Sequence, residues 1–188
     1  MNKQPERTTA TRNDFIDAFL ELSNHESIDK ITVSELSKKA GYNRSTFYQY
    51  FTDTSHLLSY IEDDMLRYIK DTILQQIGKE HPTERFIALF TQISAEKRTL
   101  LKFLLDNNAG HHFPAKLKET LIPAFAMQMH LSLENEHAIF LLDFYLSGII
   151  AVLSRWITSE TPMLPNEYAI IMREIVEGMQ KSDLFPML

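Results

Sequence analysis

Hydrophobic residues recur at three- and four-residue steps along most of this chain, the spacing that places them on one side of an α-helix. In the first such segment, either Thr9 or Thr11 is expected to cap the helix at its N-terminus. The apolar side of this helix is formed by Phe15, Ile16, Phe19, Leu20 and Leu22. The sequence has no convincing strand pattern and no internal repeat. The pattern therefore predicts an all-α protein.

Two short helices are predicted between residues 32 and 51. Thr32 and Glu35 have the spacing of a capping box, in which each side chain bonds to the other residue's backbone amide. Gly41 is the residue best able to end this helix in a left-handed conformation. Asn43 is a favourable N-cap for the next helix, which is expected to reach about Phe51. Two helices joined by a tight turn that contains Gly are typical of a helix-turn-helix.

Further amphipathic segments follow this motif and predict six more helices. They cover residues 54–77, 82–96, 97–107, a segment that begins at Pro114 and must contain or end at Pro123, 135–159 and 165–180. The last of them carries Tyr168, Ile171, Met172, Ile175, Val176 and Met179 on one side, enough for an apolar seam. Most of the chain beyond the helix-turn-helix is therefore expected to be a separate helical domain.

The run from Ala138 to Leu153 is apolar enough to suggest a membrane span. It has 16 residues and one charge, Asp143. A bilayer requires roughly 20 apolar residues, so the run is too short. The sequence therefore predicts a buried core or interface helix here, and no association with a membrane.

Composition limits the classes of function. The hydrophobic share of 44% and the 12 Phe residues are sufficient for a substantial core. The net charge of -6 argues against a protein that coats nucleic acid over its whole surface. Residues 1–55 carry seven Lys and Arg against eight Asp and Glu, so any DNA contact must come from a small local patch. The absence of Cys excludes disulfides and thiolate metal sites.

The helix after the turn divides its side chains between two sides. At about 100° per residue, Phe47 and Phe51 share one side, which is expected to anchor the helix. Arg44, Ser45, Tyr48 and Gln49 occupy an arc of about 140° on the other side. These side chains offer the donors and acceptors that read base edges or hold phosphates. The same pattern also fits an ordinary short surface helix with a polar outer side.

The segment "ITVSELSKKAGYNRSTFYQYFTDTSHLL", residues 31–58, resembles the DNA-binding signature of the TetR family of bacterial transcriptional regulators. The matching positions are Thr32, Ala40-Gly41, Phe47-Tyr48, Tyr50-Phe51 and Leu57-Leu58. The resemblance implies a three-helix DNA-binding domain in residues 1–53. It also implies a helical effector-binding and dimerisation domain in residues 54–188. Residues 148–157 resemble a subgroup of the family whose effectors are mostly undefined.

The resemblance also implies a set of DNA contacts. The residues expected to face bases are Arg44, Ser45, Thr46 and Gln49. Those expected to hold the DNA backbone are Thr32, Lys39, Tyr48, Tyr50 and Thr54. The family usually has Lys at the position of Thr54, where it touches a phosphate, so this chain lacks a charge that its relatives use.

The expectations for the second domain are an effector pocket and a dimer interface. Phe90, Phe103, Phe125, Met129, Phe144 and Tyr145 could line the pocket, although an aromatic residue at helical spacing more often packs in a core. The family resemblance implies a homodimer formed through residues 135–159 and 165–180. No cofactor is expected. Glu134 and His137 form half of a di-iron motif, but no second copy exists, so no metal site is predicted.

The sequence therefore predicts a cytoplasmic, ligand-responsive repressor that binds a two-fold DNA operator as a homodimer and responds to an unknown small molecule. A protein with the same fold that has lost operator binding and serves as a coactivator or partner-binding protein is the alternative. An enzyme is not expected, because the sequence contains no phosphate-binding Gly loop, no G-x-S-x-G and no H-E-x-x-H.

Overall fold

Helices form the regular structure of the chain. The computed structural model describes residues 4–75, 82–106, 112–128, 130–160 and 163–180, and it contains no strand within these ranges. The helices are α1 (Gln4–Ser23), α2 (Val33–Lys39), α3 (Arg44–Tyr48), α4 (Thr54–Leu74), α5 (Pro82–Glu96), α6 (Arg98–Leu104), α7 (Phe113–Gln128), α8 (Glu136–Thr158) and α9 (Pro165–Gln180). The all-α prediction is confirmed.

Most helix ends agree with the hydrophobic pattern, but the start of α1 differs. Thr9 and Thr11 lie inside α1, so neither caps it as predicted. Pro123 lies within α7, which continues through it to Gln128. The Pro123 side chain is exposed, so the missing backbone donor lies on the solvent side of the helix.

The chain divides into two compact units, and the boundary lies within α4, between Asp64 and Met65. The boundary implied by the family resemblance lies earlier, between residues 53 and 54. The core of the first unit is aromatic. Phe15 of α1 meets the edge of Phe47 at a centroid distance of 5.3 Å, and Phe47 lies 5.6 Å from Phe51. These contacts hold the short helix α3 against α1.

The second unit is organised around α8, which packs against α6, α7 and α9, while α9 packs against α5. The buried side of α8 carries Ala138, Leu142, Leu146, Ile149, Ile150, Leu153, Trp156 and Ile157. By length and composition alone, α8 could cross a membrane. A single helix of this kind is weak evidence for a membrane span, because the core helix of a soluble protein can pass the same test.

Candidate nucleic-acid interface

The turn between α2 and α3 is closed by two backbone hydrogen bonds. The Tyr42 N–H donates to the Ser37 carbonyl at 2.8 Å, and the Gly41 N–H donates to the Lys38 carbonyl at 3.3 Å. This pair is the Schellman motif, which requires a left-handed residue just past the helix. Gly41 has φ of 78° and fills that position, as predicted. The motif determines the direction in which the chain enters α3.

Asn43 caps α3 and bonds to two of the side chains predicted to face DNA bases. Its Oδ1 accepts from the Thr46 N–H at 2.8 Å, from Ser45 Oγ at 2.6 Å and from Thr46 Oγ1 at 2.9 Å. Both hydroxyl hydrogens are therefore used within the chain. In this arrangement Ser45 and Thr46 can offer DNA their acceptor lone pairs rather than their donors.

The outer side of α3 is polar and exposed, as the helical pattern predicts. Phe47 and Phe51 are buried, whereas Arg44 and Gln49 are exposed and Tyr48 is 58% exposed. The helix itself is shorter than predicted because it ends at Tyr48, with Gln49 as its C-cap. One helical hydrogen bond, from the Phe51 N–H to the Phe47 carbonyl at 3.0 Å, extends this geometry to Phe51.

Two of the predicted backbone-contact residues already have partners in the chain. The Thr32 hydroxyl accepts from the Glu35 N–H at 3.2 Å, and Glu35 Oε2 accepts from the Thr32 N–H at 3.0 Å, so the predicted capping box is present. Hydrogen bonds from the Thr32 side chain and backbone lower the pKa of Glu35. Lys39 forms an ion pair with Glu21 of α1. A surface pair of this kind is weak, and a phosphate could compete for the ammonium.

At the start of α4, Thr54 occupies the position where the resemblance implies a Lys, and the residue before it, Asp53, carries a negative charge. Asp53 Oδ1 accepts from the His56 N–H at 2.8 Å, and His56 Nδ1 accepts from the Thr52 N–H at 3.1 Å. These bonds cap the helix. Thr54 is half-buried beside them, so this corner offers a phosphate a hydroxyl and a nearby carboxylate rather than a cation.

Two further contacts support the interface, and the sequence pattern did not reveal them. The Tyr42 hydroxyl, in the turn, donates to Asp14 Oδ2 of α1 at 2.7 Å. The Arg12 guanidinium lies over the rings of Tyr50 and Tyr60, with Cζ 5.6 Å from each centroid. No local motif marks Arg12, because its partners lie far away along the chain.

Among the described side chains, the residues predicted to line an effector pocket are not brought together. Of those whose side chains are described, Phe125 lines a small cavity of about 20 Å³ and Phe103 is half-buried. Phe144 is 69% exposed, and the Tyr145 hydroxyl donates to the Gly178 carbonyl at 3.3 Å. The Phe90 side chain and Met129 lie outside the described part of the chain.

The cavity is small and almost entirely apolar. Its lining residues are Ile69, Ile73, Ile93, Ser94, Leu101, Leu117, Leu121, Phe125, Leu146, Ile149, Ile150 and Leu153. A volume of about 20 Å³ accommodates roughly one water molecule. An effector of several heavy atoms would therefore have to enlarge it. Among the described residues, no group of three or more His, Cys, Asp or Glu could hold a metal ion.

The outer side of α8 carries exposed residues at three- and four-residue steps. They are Phe140, Phe144, Gly148, Ala151 and Arg155, called here the α8 stripe. Phe140 is 74% exposed, which is unusual for a large aromatic residue. Beside Phe140 lies an open groove of about 340 Å³, lined by Ile122, Leu133, Glu136, Ile139, Phe140 and Asp143.

The chain matches known sequence families over most of its length. Residues 15–61 match the family described as bacterial regulatory proteins, tetR family. Residues 80–178, more than half of the chain, match the family described as transcriptional regulator C-terminal region. The uncharacterized HTH-type transcriptional regulator YvdT of Bacillus subtilis (strain 168) is 30% identical over 82 residues. That match covers 44% of this chain and 41% of YvdT, less than half the length of that relative.

Solved structures of regulators share the fold at low sequence identity. The fatty acid degradation regulator FadR from Bacillus halodurans has a TM-score of 0.63 at 16% identity, covering 91% of this chain and 96% of its own. The dihydroxyacetone kinase operon activator DhaS has a TM-score of 0.58 at 19% identity, covering 90% and 96%. The TetR family repressor AlkX from Dietzia sp. strain DQ12-45-1b has a TM-score of 0.54 at 19% identity, covering 92% and 96%.

Proposed function

Since this chain belongs to the TetR family of DNA-binding transcriptional regulators, we propose that it is a ligand-responsive repressor that binds a two-fold operator as a homodimer in the cytoplasm. We assign DNA binding to residues 1–53, and effector binding and dimerisation to residues 54–188. The observation that carries the proposal is the helix-turn-helix itself. Its aromatic side is buried and both helices are capped, and its outer side is polar and exposed.

In this proposal the exposed residues of α3 read bases and their neighbours hold the DNA backbone. Arg44 is the main base-reading side chain, because a guanidinium can bond a guanine at two atoms. Ser45, Thr46 and Gln49 contact bases beside it. Thr32, Lys39, Tyr48, Tyr50 and Thr54 contact phosphates. Few of these residues are cationic, so affinity for random DNA should be modest and should depend on both copies of α3 in the dimer.

The direct test is selection of bound sequences from a random duplex library at low salt. The unmodified chain should enrich a two-fold site with half-sites about one helical turn apart. Arg44→Ala should weaken binding to that site by about tenfold or more, because it removes a specific base contact. Lys102→Ala, at an exposed position of α6, is the charge-matched control and should bind normally. If the unmodified chain enriches no site, operator binding is refuted.

A partner-binding protein that has lost operator binding is the second candidate. The specific observation in its favour is the corner at α4, where Asp53 stands beside Thr54 in place of the usual cation. The Lys39–Glu21 ion pair reduces the available positive charge further. In this case substitution of Arg44 or Tyr48 would leave cellular function intact, whereas a regulator that binds an operator would lose it.

For the homodimer, we propose that the α8 stripe is the central contact. Phe140 and Arg155 lie equally far from a point between residues 147 and 148, and so do Phe144 and Ala151. A two-fold axis at that point pairs the helices antiparallel and matches the stripe to itself. Phe140 then faces Arg155 of the partner subunit, where a cation–π contact is possible. Phe144 faces Ala151 of the partner subunit, so a large side chain meets a small one. Gly148 lies near the axis, where a short side chain permits close approach.

The expected contribution of α9 to this interface is smaller. Of its apolar residues, Tyr168, Met172 and Val176 are buried against its own chain and are not available to a partner. Ile171 and Ile175 are half-buried, and Ile170 is exposed. The predicted apolar seam of α9 is therefore mostly part of the subunit core, and α8 carries the larger exposed apolar surface.

We further propose that the effector is an uncharged, largely aliphatic molecule, because it must enter a cavity lined by aliphatic side chains, Phe125 and a single polar residue, Ser94. The cavity is too small for it, so binding must displace the surrounding helices. Ile69 and Ile73 in its wall belong to α4, which begins soon after α3. A shift of α4 would change the spacing of the two α3 helices and release the operator. Medium-chain alcohols should release the selected operator, while equally long dicarboxylates should not.

A further inference from the structure

Arg12 connects three elements of the DNA-binding unit through aromatic rings. Its guanidinium lies over the ring of Tyr50, just after α3, and over the ring of Tyr60 in α4, with Cζ 5.6 Å from both centroids. Arg12 itself belongs to α1. Tyr60 also packs against Phe51, with centroids 5.6 Å apart. A single cation therefore holds the end of the recognition segment between α1 and α4.

The contacts of Arg12 indicate that it positions aromatic rings rather than forming hydrogen bonds. Arg12 Nε is buried and has no hydrogen-bond partner. A buried donor without a partner lowers stability, so Nε contributes no hydrogen bond to this contact. The guanidinium does contact two aromatic faces, those of Tyr50 and Tyr60. The quadrupole of an aromatic ring attracts a cation most strongly when the cation is partly removed from water.

The recognition helix needs such support because it is short. With five residues, α3 cannot maintain its own geometry and depends on tertiary contacts. Phe47 and Phe51 hold its inner side in the aromatic core. Tyr50 does not belong to this buried core. Its side chain is half-buried, and the contact with Arg12 restrains its ring.

We infer that Arg12 is a positioning residue that orients the Tyr50 phenol toward a DNA phosphate without contacting DNA itself. This inference rests on the proposed phosphate contact of Tyr50. The site uses a charge between two rings and leaves Nε unpaired, as this role expects. Loss of the cation should free the Tyr50 ring while the Phe47 and Phe51 core remains in place.

The test is a double-mutant cycle on the selected operator. Arg12→Met and Tyr50→Phe should each weaken binding by about tenfold, and the double variant should lose little more than either single variant, because both act through the same hydroxyl. Arg12→Lys should retain more affinity than Arg12→Met, since an ammonium also makes cation–π contacts. Lys102→Met is the charge-matched control and should bind as the unmodified chain does.

The salt dependence of binding separates positioning from direct contact. Each phosphate neutralised by a cation contributes about -0.9 to the slope of log K against log salt. Arg12→Met should therefore leave the slope unchanged. A slope smaller in magnitude by about one in this variant would show that Arg12 touches a phosphate. Losses of affinity that multiply in the double variant would show that Arg12 does not act through Tyr50. Either result overturns the inference.

Separate control measurements distinguish a folding defect from a loss of DNA binding. Circular dichroism should show that Arg12→Met keeps its helical content. If Arg12→Met loses helical content, the same cycle is run with Tyr60→Leu in its place, because this change removes one of the two rings that hold Arg12. If the losses of DNA affinity caused by Tyr60→Leu and Tyr50→Phe multiply in the double variant, the inference is again overturned. Failure of the unmodified chain to select any site refutes the proposed function, whereas failure of the cycle with operator binding intact refutes only the role of Arg12.

Discussion

At the scale of single residues, Tyr168 is a buried polar group without a partner. Its ring stacks on Trp156, with centroids 4.1 Å apart and planes 8° apart, and the side chain is fully buried. Its hydroxyl has no hydrogen-bond partner. Burial raises the pKa of the Tyr168 phenol well above its ordinary value. The residue therefore contributes an apolar ring to the core together with a hydroxyl that lowers stability.

Removal of this hydroxyl should stabilise the protein. Tyr168→Phe should raise the free energy of unfolding by on the order of 1 kcal/mol at pH 7, because it removes an unsatisfied buried group. Above the ordinary tyrosine value of 10.0, the unfolded phenol ionises while the buried one stays neutral, so stability falls as pH rises. The variant should lose less stability than the unmodified chain between neutral pH and about pH 10.5.

Urea unfolding followed by the fluorescence of the single Trp measures both effects. Tyr42→Phe is the matched control, since it removes a hydroxyl that donates to Asp14 and should destabilise the protein. A loss of stability in Tyr168→Phe at pH 7 would mean that its hydroxyl has a partner, and would contradict the prediction.

At the scale of elements, the DNA-binding unit depends on helix ends more than on helix length. The helices α2 and α3 have seven and five residues. Isolated helices of this length are not stable in water. Each has a side-chain N-cap, from Thr32 and Asn43, and the Schellman motif at Gly41 joins them. Together with the Phe47 and Phe51 contacts, these local bonds keep the recognition segment helical.

Loss of the capping box should destabilise the first unit in a pH-dependent way. Thr32→Ala should cost about 1 kcal/mol at pH 7, whereas Thr32→Ser, which keeps the hydroxyl, should cost much less. The pKa of Glu35 is lowered by its bonds to Thr32, so its contribution is present at neutral pH and is lost as pH falls below the ordinary value of 4.5. The difference between the alanine variant and the unmodified chain should therefore shrink at pH 3.5 in denaturant titrations. A constant difference across this range would contradict the role of the carboxylate.

At the scale of the whole molecule, the exposed apolar surface of α8 is the feature that the isolated subunit does not explain. Phe140 and Phe144 are among the most exposed large hydrophobic residues in the described part of the chain. They lie on the opposite side of α8 from its buried residues. A second copy would cover them, and the groove beside Phe140 would then lie next to the C-terminal end of the partner's α8.

The register of this interface can be tested directly because the chain contains no Cys. Gly148→Cys alone should form a covalent dimer on oxidation or with a short thiol cross-linker, since both copies lie near the axis. The pair Phe144→Cys with Ala151→Cys should also cross-link, and Lys102→Cys on α6 should not. Non-reducing electrophoresis with sedimentation of the unmodified chain provides the measurement. A dimer that Gly148→Cys fails to link would disprove the register, and a monomer at micromolar concentration would disprove the dimer.

The sequence by itself determined the helices, the caps of α2 and α3 and the helix-turn-helix, because the signals for these features are local. Thr32 with Glu35, Gly41, and Asn43 with Thr46 all act within a few residues, and hydrophobic steps of three and four mark the buried side of each helix. The polar outer side of α3 followed from the same periodicity.

Tertiary structure decided which element covers each helix side. Periodicity gives the apolar side of a helix but not its neighbour, so it could not show that Phe125 lines a cavity while Phe144 faces outward, or that the apolar side of α9 is mostly buried in its own subunit. The contact of Arg12 with Tyr50 and Tyr60 likewise joins residues from α1, the segment after α3, and α4. Such contacts arise only when separate helices pack together, because no local signal along the chain encodes which distant residues will meet.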